Sequence, residues 1–397
     1  MTGCKRSLIP NPVRDLEQTD RLLNPNRSGF DNERRGVLGR HIDASHLKRK
    51  LLLIMSQIRI GLHLHPPPKV RLNAFIEMVR RADHYGFARI GTGDTQWHNM
   101  ECFVALTLMA LNSERIEIGP RVTNPVTREP SVMASAIVSL ELISKGRAVL
   151  AIGRGDSAVH NIGLKPATVE ETRDYIIAVR ELLEKGETVY RGRHNRFHWP
   201  RPEMRRRIPI CITAEGPRML RLAGQIGDQV LIGTGLTPEI VEASLQQLRD
   251  GAKEAGRDPA DLEVWWAPRL SIAENREEAL KDVRASVASS GNHALRSGFT
   301  GKQVPEHLKE NLRRFHQEYD YAQHGVKTGK NAQLVNQLGL TEYFLDRFAV
   351  AGTPSDIVER IRSLARLGLQ NLWLSSPGDD PSSLDLMGKD VLPHLNS

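Results

Sequence analysis

Cysteine is scarce in this 397-residue chain, with only Cys4, Cys102 and Cys211. Three scattered thiols make neither a disulfide framework nor a zinc-ligand spacing, and they fit a reducing, cytoplasmic setting. Long apolar runs are lacking too. None approaches the ~18 residues of a membrane helix, and "LLLIM" at 51–55 is too short for a signal-peptide core. Charge of one sign does not dominate. The net charge of +8 comes from 55 basic and 47 acidic residues. The short basic patches "RRGVLGR" and "RPEMRRR" lack interleaved aromatics, so no nucleic-acid module is expected. The modest excess suits small anionic ligands.

Residues 1–54 hold +5 of that charge and show no steady periodicity. They read as a disordered or loosely attached extension. Met55 reads as the start of the fold, or as a natural start, and residues 55–397 as one domain.

From residue 57 a rhythm of short strands and helices sets in. Strands are expected near 58, 88, 117, 149, 210, 230, 264 and 372, most of them followed by helical patterns. The first helix, "VRLNAFIEMVRRADHYG", spaces Phe75, Met78, Val79 and Ala82 along one face and ends at Gly86. Parallel strands need long crossovers, which helices supply, and eight such units close into a (β/α)8 TIM barrel of the α/β class. The alternative is an open doubly wound sheet. Two stretches break the rhythm: an excursion at 186–208, read as a hairpin, and a partly helical insertion at about 290–348.

The stretch "VLAIGRGDSA" (149–158) spells G-x-G-x-x-A. A dinucleotide fingerprint belongs in the first βα unit, with a helix at its glycines and an acid at the end of the next strand. Here it stands in the fourth unit, and "VHNIGLKPATV" precedes the helix. An adhesive Arg-Gly-Asp loop finds no extracellular context. The stretch reads as a strand end turning into a ligand-facing loop.

A barrel keeps its site at the C-terminal strand ends. These carry His63 and His65, then Asp94 with Trp97 and His98, then Thr123 and Asn124. After them come Arg154 and Asp156, Thr213 and Glu215, Gly233 and Thr234, Arg269, and Ser375 with Ser376. His63 and His65 resemble the opening pair of metal-dependent barrel hydrolases. The fifth and sixth strands, "CITAE" and "LIGTG", offer no histidine, so no metal is expected. Gly216 and Pro217 open a helix directly after a strand. Proline is preorganised for a first turn whose free N–H groups suit a phosphate, although the same pair also starts helices that bind nothing. Thr123 and Asn124 end a strand at Pro125, a place for the heteroatoms of a planar ring or for a plain turn. Trp97, Trp265 and Trp266 are either stacking surfaces for a substrate or core.

The pieces "GPRVTNPVTREPSVMASAIVSLELISKGRAVLAIGRGDSA", "ITAEGPRMLRLAGQIGDQVLIGTG" and "FAVAGTPSDIVERIRSLARLGLQNLWL" resemble the bacterial-luciferase-like superfamily of flavin- and F420-dependent oxidoreductases. The likeness runs from about Ile58 to the C-terminus. It is nearest the branch of F420-dependent methylenetetrahydromethanopterin reductase. The resemblance implies a non-prolyl cis peptide at Arg121–Val122, forming a bulge behind the cofactor ring. Arg121 departs from the small residue the superfamily usually has there. It also implies that Val122, Thr123 and Asn124 line the ring and that Arg154 and Asp156 lie near the cofactor tail. Glu215, Gly216 and Pro217 would form the phosphate turn, and Gly233 and Thr234 would close over the cofactor side chain. His65, Asp94 and His98 become proton donors or ring anchors.

The implied reaction is hydride transfer between reduced coenzyme F420 and a small organic substrate. With reduced FMN instead, oxygen would attack the ring and the enzyme would be a monooxygenase. A homodimer and a flavin or F420 reductase supplying reduced cofactor are implied partners. Neither nucleic acid nor membrane is expected. A barrel that has lost its cofactor is the remaining alternative, against which the polar ring of strand ends argues.

Overall fold

The computed structural model describes residues 57–68, 70–197, 207–323, 326, 329–375 and 381–396. The expectations for residues 1–54, Met55 and Ser376 lie outside these residues, as does most of the patch "RPEMRRR".

Eight strands form the ring: β1 (Arg59–His63), β2 (Arg89–Thr92), β3 (Glu117–Pro120), β4 (Leu150–Ile152), β7 (Ile210–Ala214), β8 (Gln229–Ile232), β9 (Glu263–Trp266) and β12 (Asn371–Ser375). They are the eight strands expected from the sequence. Between them come the hairpin β5 (Glu187–Tyr190) and β6 (Arg193–Arg196), and the pair β10 (Arg269–Ile272) and β11 (Ala349–Gly352). All ring pairings are parallel, in the order β3-β2-β1-β12-β9-β8-β7-β4. Two single bridges, Ile118 to Ala148 and Thr123 to Ile152, join β3 to β4, so the barrel is nearly closed.

Sequence explains the local structure. Phe75, Met78, Val79 and Ala82 are all buried on helix Leu72–Tyr85, which ends at Gly86 with φ +82°. Helix Val169–Lys185 starts from a capping box formed by Thr168 and Glu171. Helix Pro130–Ile143 has proline in its first turn. Glycine is required at the β3–β4 seam. A Cβ on Gly119 would lie 2.0 Å from the Val149 carbonyl oxygen, so only a bare backbone fits.

Three departures from the sequence reading have local causes. "DLEVWWAPRLSI" is two strands rather than one, because Ala267 and Pro268 interrupt the ladder. β11 follows helix Thr341–Phe348 directly, where the sequence suggested only helix. Helix Arg276–Leu295 extends into the insertion.

At the N-terminal end of the barrel, Arg89 is fully buried between two indoles, 4.2 Å from the Trp265 ring and 5.0 Å from that of Trp373. It donates to Glu117 at 2.6 Å and to Gln229 at 3.0 Å. Trp265 and Trp266 are therefore core, whereas Trp97 is exposed. The insertion has its own apolar cluster, including Leu312, Phe315, Leu340 and Phe344. Among the described residues no helix is long and apolar enough to cross a membrane.

Candidate active site

A cleft of about 800 Å³ opens at the C-terminal ends of the strands. The loops after β2, β3, β4 and β7 form one side, and the insertion following β10 forms the other. The first loop brings Asp94, which accepts from the Thr123 hydroxyl at 2.6 Å and pairs with Arg128. Asp94 is thus anchored to two residues of the loop after β3.

The second loop begins with a cis peptide between Arg121 and Val122, the position the resemblance implies. Val122, Thr123 and Asn124 follow along the wall. The Asn124 side-chain oxygen accepts from the backbone N–H groups of Val126 at 2.9 Å and Thr127 at 3.0 Å, so it shapes the turn.

The third loop carries Arg154, Gly155 and Asp156. Gly155 has φ +96°, and a Cβ there would stand 2.6 Å from a Val159 methyl. The helix after it spans only Ser157–His160, and the long helix begins at Val169. This is a strand-end loop rather than a dinucleotide fingerprint. The Arg154 Nε donates to the Ala167 carbonyl at 2.5 Å. Burial first, then Arg218 and Arg296, lowers its pKa.

Asp156 joins this loop to the insertion. Its Oδ2 lies 2.8 Å from His293 Nε2, and Arg296 pairs with its other oxygen. Burial alone would raise the Asp156 pKa, but His293 and Arg296 outweigh it and the carboxyl is held far below its usual range. Burial alone would lower that of His293, but Asp156 and Glu215 raise it overall. Asp156 is therefore ionised and His293 favours its protonated form.

The fourth loop, after β7, holds Thr213, Glu215, Gly216 and Pro217. Helix Pro217–Ile226 starts here without a side-chain cap, and its first-turn residues line the cleft. Lys302 from the insertion is buried beside it, and a Cβ on Gly216 would stand 3.6 Å from Lys302 Cε. The ammonium donates to the Ala294 carbonyl at 2.7 Å and to the Ser297 hydroxyl at 2.9 Å. Burial lowers its pKa to about 8 despite nearby Glu215. The Thr213 hydroxyl is buried in the wall with no hydrogen-bond partner among the described residues. Free N–H groups, a cation and an unsatisfied hydroxyl together suit a ligand with a phosphate at one end.

The cleft brings together Asp94, Val122, Thr123, Asn124, Arg154, Asp156, Glu215, Gly216 and Pro217 from the expected set. It leaves His65, His98, Gly233 and Thr234 outside its lining. His65 packs edge-on against His63, with ring centroids 4.5 Å apart. Thr234 is buried against Ser244 at 2.9 Å, and its carbonyl accepts from Arg347. Gly233 lies against Glu215. His293, Arg296 and Lys302 were not singled out by the sequence reading. They lie far from the strand ends in sequence, and only the folded insertion brings them in. Among the described residues, no three His, Cys, Asp or Glu side chains are placed to hold a metal.

Residues 52–371 match the family model described as luciferase-like monooxygenase. The chain is 28% identical over 373 residues to 5,10-methylenetetrahydromethanopterin reductase of Methanopyrus kandleri, covering 86% of this chain and 99% of that one. It is 30% identical to the Archaeoglobus fulgidus protein of the same name, covering 80% and 94%. The solved structure of coenzyme F420 dependent tetrahydromethanopterin reductase from Methanopyrus kandleri superposes with a TM-score of 0.69 at 24% identity, over 86% of this chain and all of that one. The chain belongs to the luciferase-like monooxygenase family and is an oxidoreductase.

Proposed function

We propose that the protein binds coenzyme F420 in this cleft and transfers a hydride between it and an electrophilic carbon of a small organic substrate. The observation that carries the cofactor assignment is the uncapped start of helix Pro217–Ile226 beside buried Lys302, with Arg154, Arg218 and Arg296 on the same cleft. That many cations around one phosphate site suit a ligand with several anionic groups, as F420 has along its phosphate and glutamate tail. The two methanopterin-reductase relatives support the same choice.

Bound there, the deazaflavin supplies a two-electron hydride donor. The chain holds and orients it. First-turn N–H groups and Lys302 would hold the phosphate, and Val122 to Asn124 would back the ring. Asp94 stays fixed through Thr123 and Arg128. His293 is the better-placed proton donor, because it lines the cleft and is kept charged by Asp156. His65 and His98 are outside the cleft lining.

The protein is further proposed to work in the cytoplasm as a homodimer, with a separate reductase renewing its cofactor. Exposed Val104 and Leu111 on helix Cys102–Leu111, and Val132 and Leu142 on helix Pro130–Ile143, offer an apolar face for a second copy. Light scattering checks the dimer. For the cofactor, F420 and FMN are titrated separately in both redox states. F420 is expected to bind at least about 100-fold more tightly, a difference of about 2.7 kcal/mol. A preference for FMN, with oxygen uptake on reduction, would overturn the assignment.

A further inference from the structure

Two arginines at the mouth of the barrel form no ion pair among the described residues and have no part in the reading above. Arg121 lines the cleft and Arg269 begins β10. Both lean on β12. Arg121 Nη2 donates to the Trp373 carbonyl at 2.7 Å, and Arg269 Nη1 donates to the Ser375 hydroxyl at 3.2 Å. Trp373 and Ser375 are two residues apart on β12, and the guanidinium groups are near enough for the Arg269 charge to act on Arg121. Arg269 Nε also donates to the Ser290 hydroxyl at 2.6 Å.

Among the described residues no carboxylate pairs with either group. Arg128, Arg218 and Arg296 around the same cleft each have one. Among the described residues Arg121 Nε, which is buried, has no hydrogen-bond partner. Burial, followed by the Arg269 charge, holds the Arg121 pKa well below its usual value. The hydrogen bonds of both groups go to neutral oxygens, and desolvated charges without a counter-ion are costly. Guanidinium forks match a pair of anionic oxygens, such as those of a carboxylate.

We propose that Arg121 and Arg269 form a receptor for a compact oxygen anion at the mouth of the barrel. It rests on the oxidoreductase reading for the source of that anion, which is either a carboxylate of the substrate or the anionic carbonyl edge of the reduced cofactor ring. Both sources present the same chemistry to the two cations.

The test uses the full chain and succinate as the probe. The Arg121 guanidinium lies 5.8 Å from the Trp373 ring, so tryptophan fluorescence reports occupancy. Saturable succinate binding to the cofactor-free protein is expected. Arg121→Met and Arg269→Met, which keep the apolar stem, should each weaken it at least about tenfold. Circular dichroism identifies a variant that has not folded, and the other then decides.

The titration is repeated with F420 present. Succinate binding beside oxidised F420 assigns the anion to the substrate. Succinate excluded by F420 assigns it to the cofactor, provided wild type prefers reduced over oxidised F420 at least about tenfold more than the folded variants do. Succinate binding that persists unchanged in both folded variants overturns the proposal. So does the lack of succinate binding together with an unchanged redox preference. Failure of F420 to bind at all sinks the cofactor assignment instead, while the cofactor-free titration still decides on the receptor.

Discussion

His293, on the insertion helix, stands 2.8 Å from Asp156 in the loop after β4. One contact thus joins two segments far apart in sequence across the mouth of the barrel, and it favours the protonated imidazole in the cleft.

The contact predicts a window of pH-dependent stability. Asp156 has a depressed pKa, so its contribution is present above the unfolded carboxyl value of about 3.9 and is lost as pH falls below that. His293 has a raised pKa, so its contribution is complete below about 6.5 and is lost as pH rises through the folded value. The loss of stability in His293→Gln, about 1–2 kcal/mol for a charged hydrogen bond, should be greatest near pH 5 and shrink towards pH 9. Urea denaturation at both pH values checks it. An equal loss at the two would show that imidazolium charge plays no part.

Lys302 predicts a second pH dependence. Its pKa of about 8 means that the ammonium is lost as pH rises through that value. Affinity for a phosphate-bearing cofactor should fall over the same range, with Glu215, Arg296 and Arg347 as the charged neighbours. Lys302→Met should weaken binding about tenfold or more and flatten the profile. Calorimetric titration at pH 7 and pH 9 separates the two.

At the other end of the barrel, Arg89→Met removes a buried cation from between Trp265 and Trp373 and leaves Glu117 without its closest partner there. A loss of about 3 kcal/mol in unfolding free energy is expected. Cofactor affinity should stay within about twofold, because the site is at the opposite strand ends. A large fall in affinity without a fall in stability would contradict this division.

The strand rhythm made the fold legible. Alternating short apolar runs and amphipathic helices located all eight ring strands, and Gly216-Pro217 located the start of a cleft-facing helix. The strand ends also yielded most of the cleft wall, from Asp94 to Pro217. What the sequence concealed depends on long-range packing. His293 sits in a helix whose residues from Val287 to Leu295 are almost all buried, so no simple amphipathic stripe marks it as facing a ligand. Lys302 and Arg296 resemble ordinary surface cations until the insertion folds. His65 and His98 are the opposite case, strand-end residues outside the cleft lining. Position near a strand end suggests a catalytic role, but side-chain direction decides whether a residue reaches the cleft.

The seam at Gly119 has a consequence for ligand binding. Only two single bridges fasten β3 to β4, while Val122 to Asn124 line one lip and Gly153 to Asp156 the other. A molecule gripping both lips acts as an added rung across a sparsely laddered joint of the ring. Its arrival should slow amide exchange at Thr123 and Gly153 more than at the well-laddered β1–β12 junction, making the cofactor a clasp of the scaffold as well as a reagent.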